Sequence, residues 1–333
     1  MDRIVSPASP PNASPPNASM PTASMPTVSL VELSAVIVAV TDEEPRVLAV
    51  RDGSALPSGP LEAGHRTLEL GLRSWVEART HHPLGYVEQL YTFADRDRMQ
   101  DTGGPAISLS YLALTREAPP VGEAGAGWIN WYRYFPWEDW RSGQPAMLDQ
   151  EILPRLGIWQ AAPEDAGERR QRAQRIAVAF GQQDKSWNED LVLQRYELLF
   201  EAGLVQEATR HRTIPPEHLL SHPGQAMVHD HRRILATGLS RLRAKIKYRP
   251  VVFELMPGSF TLLQLQRAVE ALAGRRLHKQ NFRRFIAQEG LVEETGQVRT
   301  ETGGRPARLV RFRRDVLAER AVGGTRLPLA RSA

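Results

Sequence analysis

The sequence predicts an α+β protein in three parts: a mixed sheet with a helix against it, a helical connector, and a C-terminal pair of helices closed by a β-hairpin. Three observations carry this reading. Short apolar runs bounded by turn residues occupy the first part, helical spacing takes over from residue 149, and basic residues crowd the stretch from Arg232 to Arg314. With 333 residues, 41% of them hydrophobic, the chain has material for more than one core. The expected division is a disordered Pro/Ser/Ala tail over 1–28, a sheet domain over 29–148, a helical connector over 149–224, a basic domain over 225–318 and a flexible tail over 319–333.

The tail contains four five-residue repeats, Ser9-Pro-Pro-Asn-Ala, Ser14-Pro-Pro-Asn-Ala, Ser19-Met-Pro-Thr-Ala and Ser24-Met-Pro-Thr-Val, a composition that cannot bury a core. From Val31 the pattern changes. Val31–Val40, Val47–Val50, Tyr86–Phe93 and Ile107–Leu114 read as strands, and His65–Thr80 reads as a helix because Leu68, Leu72, Trp75, Val76 and Arg79 follow helical spacing. Residues 128–140 hold seven aromatic residues, among them Trp131, Tyr132, Tyr134 and Trp137, which could stack on an adenine ring or form core and a domain interface. The connector reads as helices broken at Pro163 and at Pro215-Pro216. A last helix between Gln225 and Lys247 shows an apolar stripe of Val228, Leu235, Leu239, Leu242 and Ile246, with Arg232, Arg233, Arg241, Arg243, Lys245 and Lys247 around it.

Composition excludes several classes. The longest nearly unbroken apolar run, Val28–Val40, has 13 residues and includes Glu32, against about 20 needed to cross a bilayer. With no secretory signal pattern either, the expectation is a cytoplasmic protein without a membrane partner. The absence of cysteine rules out disulfides, thiolate nucleophiles and zinc–sulfur fingers. Charge is more informative. Between Arg232 and Arg314, 19 Lys and Arg face six Asp and Glu, a local charge of +13 that leaves −9 on the rest of a chain whose net charge is +4. Such asymmetry suits phosphate binding by one domain, and also a solvated basic face.

The basic stretch has a pattern of its own. Thr261 and Gln264 form a capping box, with Phe260 and Leu265 placed as its hydrophobic staple, and the helix that follows stops at Gly274. A second helix over Leu277–Gln288 puts Phe282, Phe285, Ile286 and Glu289 on one side and Arg276, Lys279, Gln280, Arg283 and Ala287 on the other, with Arg284 at the edge. Leu291–Val298 and Ala307–Arg313 then read as two strands around a Gly303-Gly304 turn. This is the layout of a winged helix-turn-helix. Lys279, Gln280, Arg283 and Arg284 are candidates for groove and phosphate contacts; Asn281 lies nearer the packed side but within reach of a phosphate. Arg299, Arg305 and Arg308 on the hairpin, with Lys245 and Lys247 on the preceding helix, complete the candidate DNA-binding set. A protein-interaction winged helix shares this fold without using DNA.

The N-terminal domain offers a second motif. Against the Nudix box Gly-x5-Glu-x7-Arg-Glu-apolar-x-Glu-Glu-x-Gly, Gly59, Arg73, Trp75 and Glu77 match, while His65, Ser74, Ala78 and Thr80 replace signature residues. Nudix hydrolysis needs several carboxylates on one helix to hold Mg²⁺ against a pyrophosphate. One glutamate cannot do this, so no metal site, no catalytic residue and no enzyme activity are expected. Arg73 and Glu77, four apart, also suit a plain intrahelical ion pair.

Together these residues resemble the Nudix-related transcriptional regulators of bacterial NAD metabolism, the NrtR-type proteins, and among them the longer NadQ-like group. The resemblance is strongest from His229 to Phe312, through His229-Asp230-His231, Leu242-Arg243-Ala244-Lys245-Ile246-Lys247-Tyr248, Phe253-Glu254-Leu255-Met256-Pro257 with Phe260-Thr261-Leu262, Asn281-Phe282-Arg283-Arg284 and Gly304-Arg305-Pro306-Ala307-Arg308-Leu309; over residues 30–145 it is to a degenerate Nudix domain, and over 160–215 the chain has extra helices that the shorter family members lack. It implies an α+β fold with an N-terminal degenerate Nudix-like mixed sheet, a helical connector and a C-terminal winged helix. It also implies a homodimeric repressor of NAD biosynthesis or salvage genes, bound to double-stranded operator DNA, with no required cofactor. The sheet domain would sense ADP-ribose, NAD or a related nucleotide, and Arg73 and Glu77 are the effector-binding candidates it carries over. An active Nudix pyrophosphatase acting on ADP-ribose, or a nucleic-acid or protein interaction module without sequence preference, are the alternatives left by the residues themselves.

Overall fold

Strong β-formers in alternation open the described chain. The computed structural model describes residues 30–61, 64, 66–80, 85–93, 106–117, 125–210, 212–299 and 306–315. The expected tails at 1–28 and 319–333 and the Gly303-Gly304 turn lie outside them. Strand β1 spans Leu30–Thr41, β2 Glu44–Ala49, β3 Ser58–Pro60, β4 Val87–Phe93, β5 Ala106–Leu114 and β6 Gly127–Asn130. They form a mixed sheet in the order β4-β5-β1-β2-β6. β1 is long enough for two partners on one edge: its N-terminal half pairs β3 and its C-terminal half pairs β2, both antiparallel. On its other edge it runs parallel to β5, with Ala35 opposite Tyr111.

The period-two alternation sends successive β1 residues to opposite faces. Leu33, Ala35 and Ile37, with Tyr111 and Ala113, pack on Leu72 and Val76 of helix α1, Leu68–Thr80. Val36 and Val38, with Leu112 and Leu114, face helix α5, His231–Ile246, through Ile234, Leu235, Leu239 and Leu242. Gly238 permits that approach, since a Cβ there would stand 2.9 Å from Val36 Cγ1. The sheet therefore carries α1 on one face, while α5 packs on the other and a later helix, α6, Leu262–Ala273, reaches β1 and β2. The helix expected over His65–Thr80 starts at Leu68, after strand β3.

Between the two layers of sequence lies the connector. A π-turn over Leu148–Ile152 runs into α2, Leu153–Ala161; α3, Ala166–Phe180, starts on the Asp165 cap; α4, Val192–Glu201, packs against α3 and α5. The C-terminal domain comprises α6, Leu262–Ala273, α7, Lys279–Gln288, β7, Val292–Arg299, and β8, Ala307–Phe312. β7 and β8 pair antiparallel, and Phe260 bridges to Val310 as a third, single-residue rung.

Helix α5 corrects one expectation. Its charge pattern groups it with the basic domain beginning at 225, yet it packs on β1, β4 and β5 as well as on α4 and α6. Arg232, Arg243 and Lys245 are buried along with its apolar residues. The helix is enclosed on nearly every side, so polar positions that a helical wheel assigns to solvent are matched to buried partners.

Candidate nucleic-acid interface

The capping box forms as the spacing requires. Thr261 Oγ1 accepts from the Gln264 amide at 3.1 Å, and Gln264 Oε1 accepts from the Thr261 amide at 2.8 Å. At the other end of α6, Gly274 adopts a φ of +73°, and a Cβ there would stand 2.5 Å from the Glu138 carbonyl oxygen. Only glycine fits both the left-handed turn and that contact.

Three donors from the rest of the chain grip the free carbonyls at this helix end. Tyr132 Oη donates to Ala271 O at 2.7 Å, Arg243 Nε to Leu272 O at 2.9 Å and the Trp140 amide to Gly274 O at 2.7 Å. The winged helix is thus joined to the segment leaving β6. Behind the joint, Glu138 is fully buried between Arg195 of α4 and Arg243 of α5, at 2.5 and 2.6 Å. A second buried pair, Glu207 with Arg232 at 3.1 Å, ties the connector to the start of α5. The aromatic cluster supplies core rather than an open stacking surface: Trp131, Tyr134, Phe135 and Trp137 are wholly buried, and Tyr134 Oη donates to Gly53 O.

Helix α7 presents the candidate face. Phe282 and Ile286 are buried, whereas Lys279, Gln280, Asn281, Arg283 and Arg284 are all exposed. At about 100° per residue, the direction opposite the midpoint of Phe282 and Ile286 falls on Arg284, with Gln280 and Asn281 beside it. The anchors therefore move Arg284 from the edge to the centre, and Asn281 to the open side, where its Oδ1 accepts from Arg284 at 3.3 Å. Phe285 departs from its expected place as well. It is 50% exposed and borders a cleft with Tyr248 and Leu277, whereas Phe282 and Ile286 are the buried anchors of α7.

On the hairpin, Arg308 pairs with Glu294 at 2.7 Å and Arg311 with Glu293 at 2.6 Å, while Arg299 is exposed at the end of β7. Arg305 lies outside the described residues. Lys245 does not belong to this surface. It is 6% exposed, ion-paired to Glu88 of β4 and donating to Tyr86 Oη at 2.6 Å. Burial alone would lower its pKa, but the bonds to Glu88 and Tyr86 raise it, so the ammonium stays charged inside. Lys247 remains partly open and is held by Glu189 and Asp190 at 3.1 and 2.8 Å. Lys245→Ala should accordingly cost about 1–3 kcal/mol of stability by leaving Glu88 without its cation, and urea unfolding checks it.

Arg73 and Glu77, the box residues expected beside a nucleotide, lie on α1. Arg73 pairs with Glu69, one turn before it, at 3.0 Å, and donates to Gly85 O at 3.2 Å; Glu77 is exposed. The intrahelical partner shown is thus Glu69 and not Glu77. His65 and the side chains of Trp75 and Ala78 lie outside the described residues. Among the described residues, no three His, Asp or Glu come together closely enough to hold a metal ion. The carboxylates present do not fit the Mg²⁺ arrangement of Nudix hydrolases.

Comparison with known proteins agrees with this geometry. Residues 252–312 match the family described as the NrtR DNA-binding winged helix domain. Over 83 residues, a quarter of this chain, the sequence is 42% identical to an "ADPR responsive transcriptional repressor NtrR" of Acinetobacter baylyi, and the match spans 33% of that relative's length. The fold is that of Shewanella oneidensis NrtR. The crystal structure of that protein complexed with a 27mer DNA superposes with a TM-score of 0.51 over 86% of this chain and 95% of the other, at 20% identity. Its structure described without DNA gives 0.50 at 19% identity, over 86% and 96%.

Proposed function

We propose that this chain, which shares the fold and the winged helix of the NrtR-type, Nudix-related regulators, is a DNA-binding transcriptional repressor whose sheet domain senses a nucleotide without hydrolysing it. The exposed basic face of α7, carrying Arg284 between Gln280 and Asn281 and flanked by the hairpin, is the observation that carries the reading. Arginine and glutamine or asparagine are the side chains that make paired bonds to guanine and adenine edges. Two copies in a homodimer would read the two halves of a palindromic operator. In the cytoplasm, its targets would be genes of NAD biosynthesis or salvage.

The effector we assign is ADP-ribose, supported by the ADPR response of the Acinetobacter baylyi relative. Binding to the sheet domain would act on DNA affinity through the grip of Tyr132, Trp140 and Arg243 on the end of α6. Effector coupling of this kind is typically worth about 1–3 kcal/mol. Arg73, Glu77 and Lys247 keep the roles expected of them as proposals, the first two beside the nucleotide and the last near phosphate.

The test is a fluorescence anisotropy titration on duplexes from upstream of NAD-metabolism genes, with competitor DNA, repeated with ADP-ribose, NAD and ATP. Selective binding that ADP-ribose shifts supports the reading. Binding indifferent to both sequence and nucleotide sinks it. A separate expectation concerns chemistry: with Mg²⁺ and ADP-ribose, the purified chain should release no AMP, and turnover that Glu77→Gln abolishes would contradict the metal argument from α1.

A further inference from the structure

Glu270 is the least expected residue of the winged helix. It sits on α6, facing the turn into α7, and is 1% exposed. Its two carboxylate oxygens take four bonds. Oε1 accepts from the Leu277 amide at 3.0 Å and from Gln266 Nε2 at 2.8 Å; Oε2 accepts from Arg267 Nη1 and from Arg276 Nη1, each at 2.9 Å. Gln266 Nε2 also donates to the Leu277 carbonyl at 3.1 Å, so both backbone polar groups of Leu277 are held from α6. Leu277 lies two residues before Lys279, where α7 begins. A buried carboxylate is costly unless every lone pair finds a donor, and this one is supplied by Gln266 and Arg267 of α6 together with Arg276 and Leu277 of the turn it organises.

We propose that Glu270 is a positioning residue for DNA recognition: it sets the start and axis of α7 through Leu277 and presents Arg276 to the phosphate backbone. The inference rests on the DNA-binding reading above. Arg276 suits the second task, since its side chain is 49% exposed although one guanidinium nitrogen is fixed on Glu270. A guanidinium has further N–H groups to offer, and being fixed at one lowers the entropy lost on meeting a phosphate. The carboxylate's own charge would weaken DNA binding, so its contribution to recognition is geometric.

That opposition of signs makes the inference testable. Full-length wild type and Glu270→Gln are titrated on a duplex recovered by in vitro selection with the wild-type chain, and on poly(dI-dC). Removing a negative charge should offset what poly(dI-dC) binding loses when Arg276 is released, leaving that binding about unchanged. A mispositioned α7 should weaken binding to the selected duplex by about tenfold, the size of a base mismatch, so the preference for it falls. Exchange of the Leu277 amide, followed by NMR, should accelerate in the same variant. A merely structural role would weaken both DNAs in parallel with a loss of thermal stability, and would overturn the proposal, as would an unchanged preference. If Glu270→Gln does not fold, Gln266→Ala removes one strut of the Leu277 clamp while keeping the carboxylate, and an unchanged preference in that variant refutes the positioning role. Arg276→Ala should lower affinity for both DNAs and reduce the salt slope by about one; an undiminished slope refutes the phosphate contact. A wild type that prefers no duplex would refute the DNA-binding reading itself, a result distinct from a wild-type preference that Glu270→Gln retains.

Discussion

Glu138→Gln should cost about 3–5 kcal/mol of folding stability, read as a lowered urea midpoint. The carboxylate is fully buried and accepts from Arg195 at 2.5 and 2.8 Å and from Arg243 at 2.6 Å. An amide of the same size leaves two buried guanidinium groups without a counter-charge, and its NH₂ faces donors. The pH dependence follows from the same contacts. Burial pushes the Glu138 carboxyl up, but Arg195 and Arg243 outweigh it and hold the pKa below the ordinary value. A carboxyl whose folded pKa lies below its unfolded one contributes stability that is present above the unfolded value, about 4.3 for glutamate, and lost as pH falls through the folded one. Wild type should therefore lose stability in acid below about pH 4, and Glu138→Gln should lack that component. Equal acid sensitivity in both proteins would show that the buried node contributes nothing. Because Arg243 also holds Leu272 O, the variant should loosen the winged helix from the sheet as well.

Arg284→Ala is the second large effect. Opposite the packed Phe282 and Ile286, Arg284 is placed to meet a base edge, and its loss should cost about 1–3 kcal/mol of discrimination at one operator position. Arg283 stands nearer the packed flank, so Arg283→Ala should weaken binding more uniformly across sequences. Affinity measured on a set of single-substitution operators checks both. A reversed pattern, with discrimination lost in Arg283→Ala only, would mean that α7 sits in the groove at a different rotation.

The capping box, the glycine stop at 274 and the strand alternation of β1 and β5 were all readable because each depends on residues within a few positions of one another. So was the architecture of sheet, connector and winged helix, which follows from runs of such local patterns. The face of α7 was half legible. Its periodicity gave Phe282 and Ile286 as anchors, but wheel geometry also placed Phe285 with them, and only the position of α6 decided which apolar residues are covered.

The basic residues of α5 lay beyond the sequence's reach. A charge on a helical wheel carries no mark of its partner, and the partners here come from distant segments: Glu88 for Lys245, Glu138 for Arg243 and Glu207 for Arg232. An excess of +13 thus read as one basic surface, although part of it is spent inside the protein. Local order, turn chemistry and the identity of the two modules follow from interactions between neighbours in the chain and were determined by the sequence alone. Which charges face DNA, and which residues join one module to the other, were decided only by the tertiary structure, because an ion pair is set by distance in space and by the exclusion of water around it.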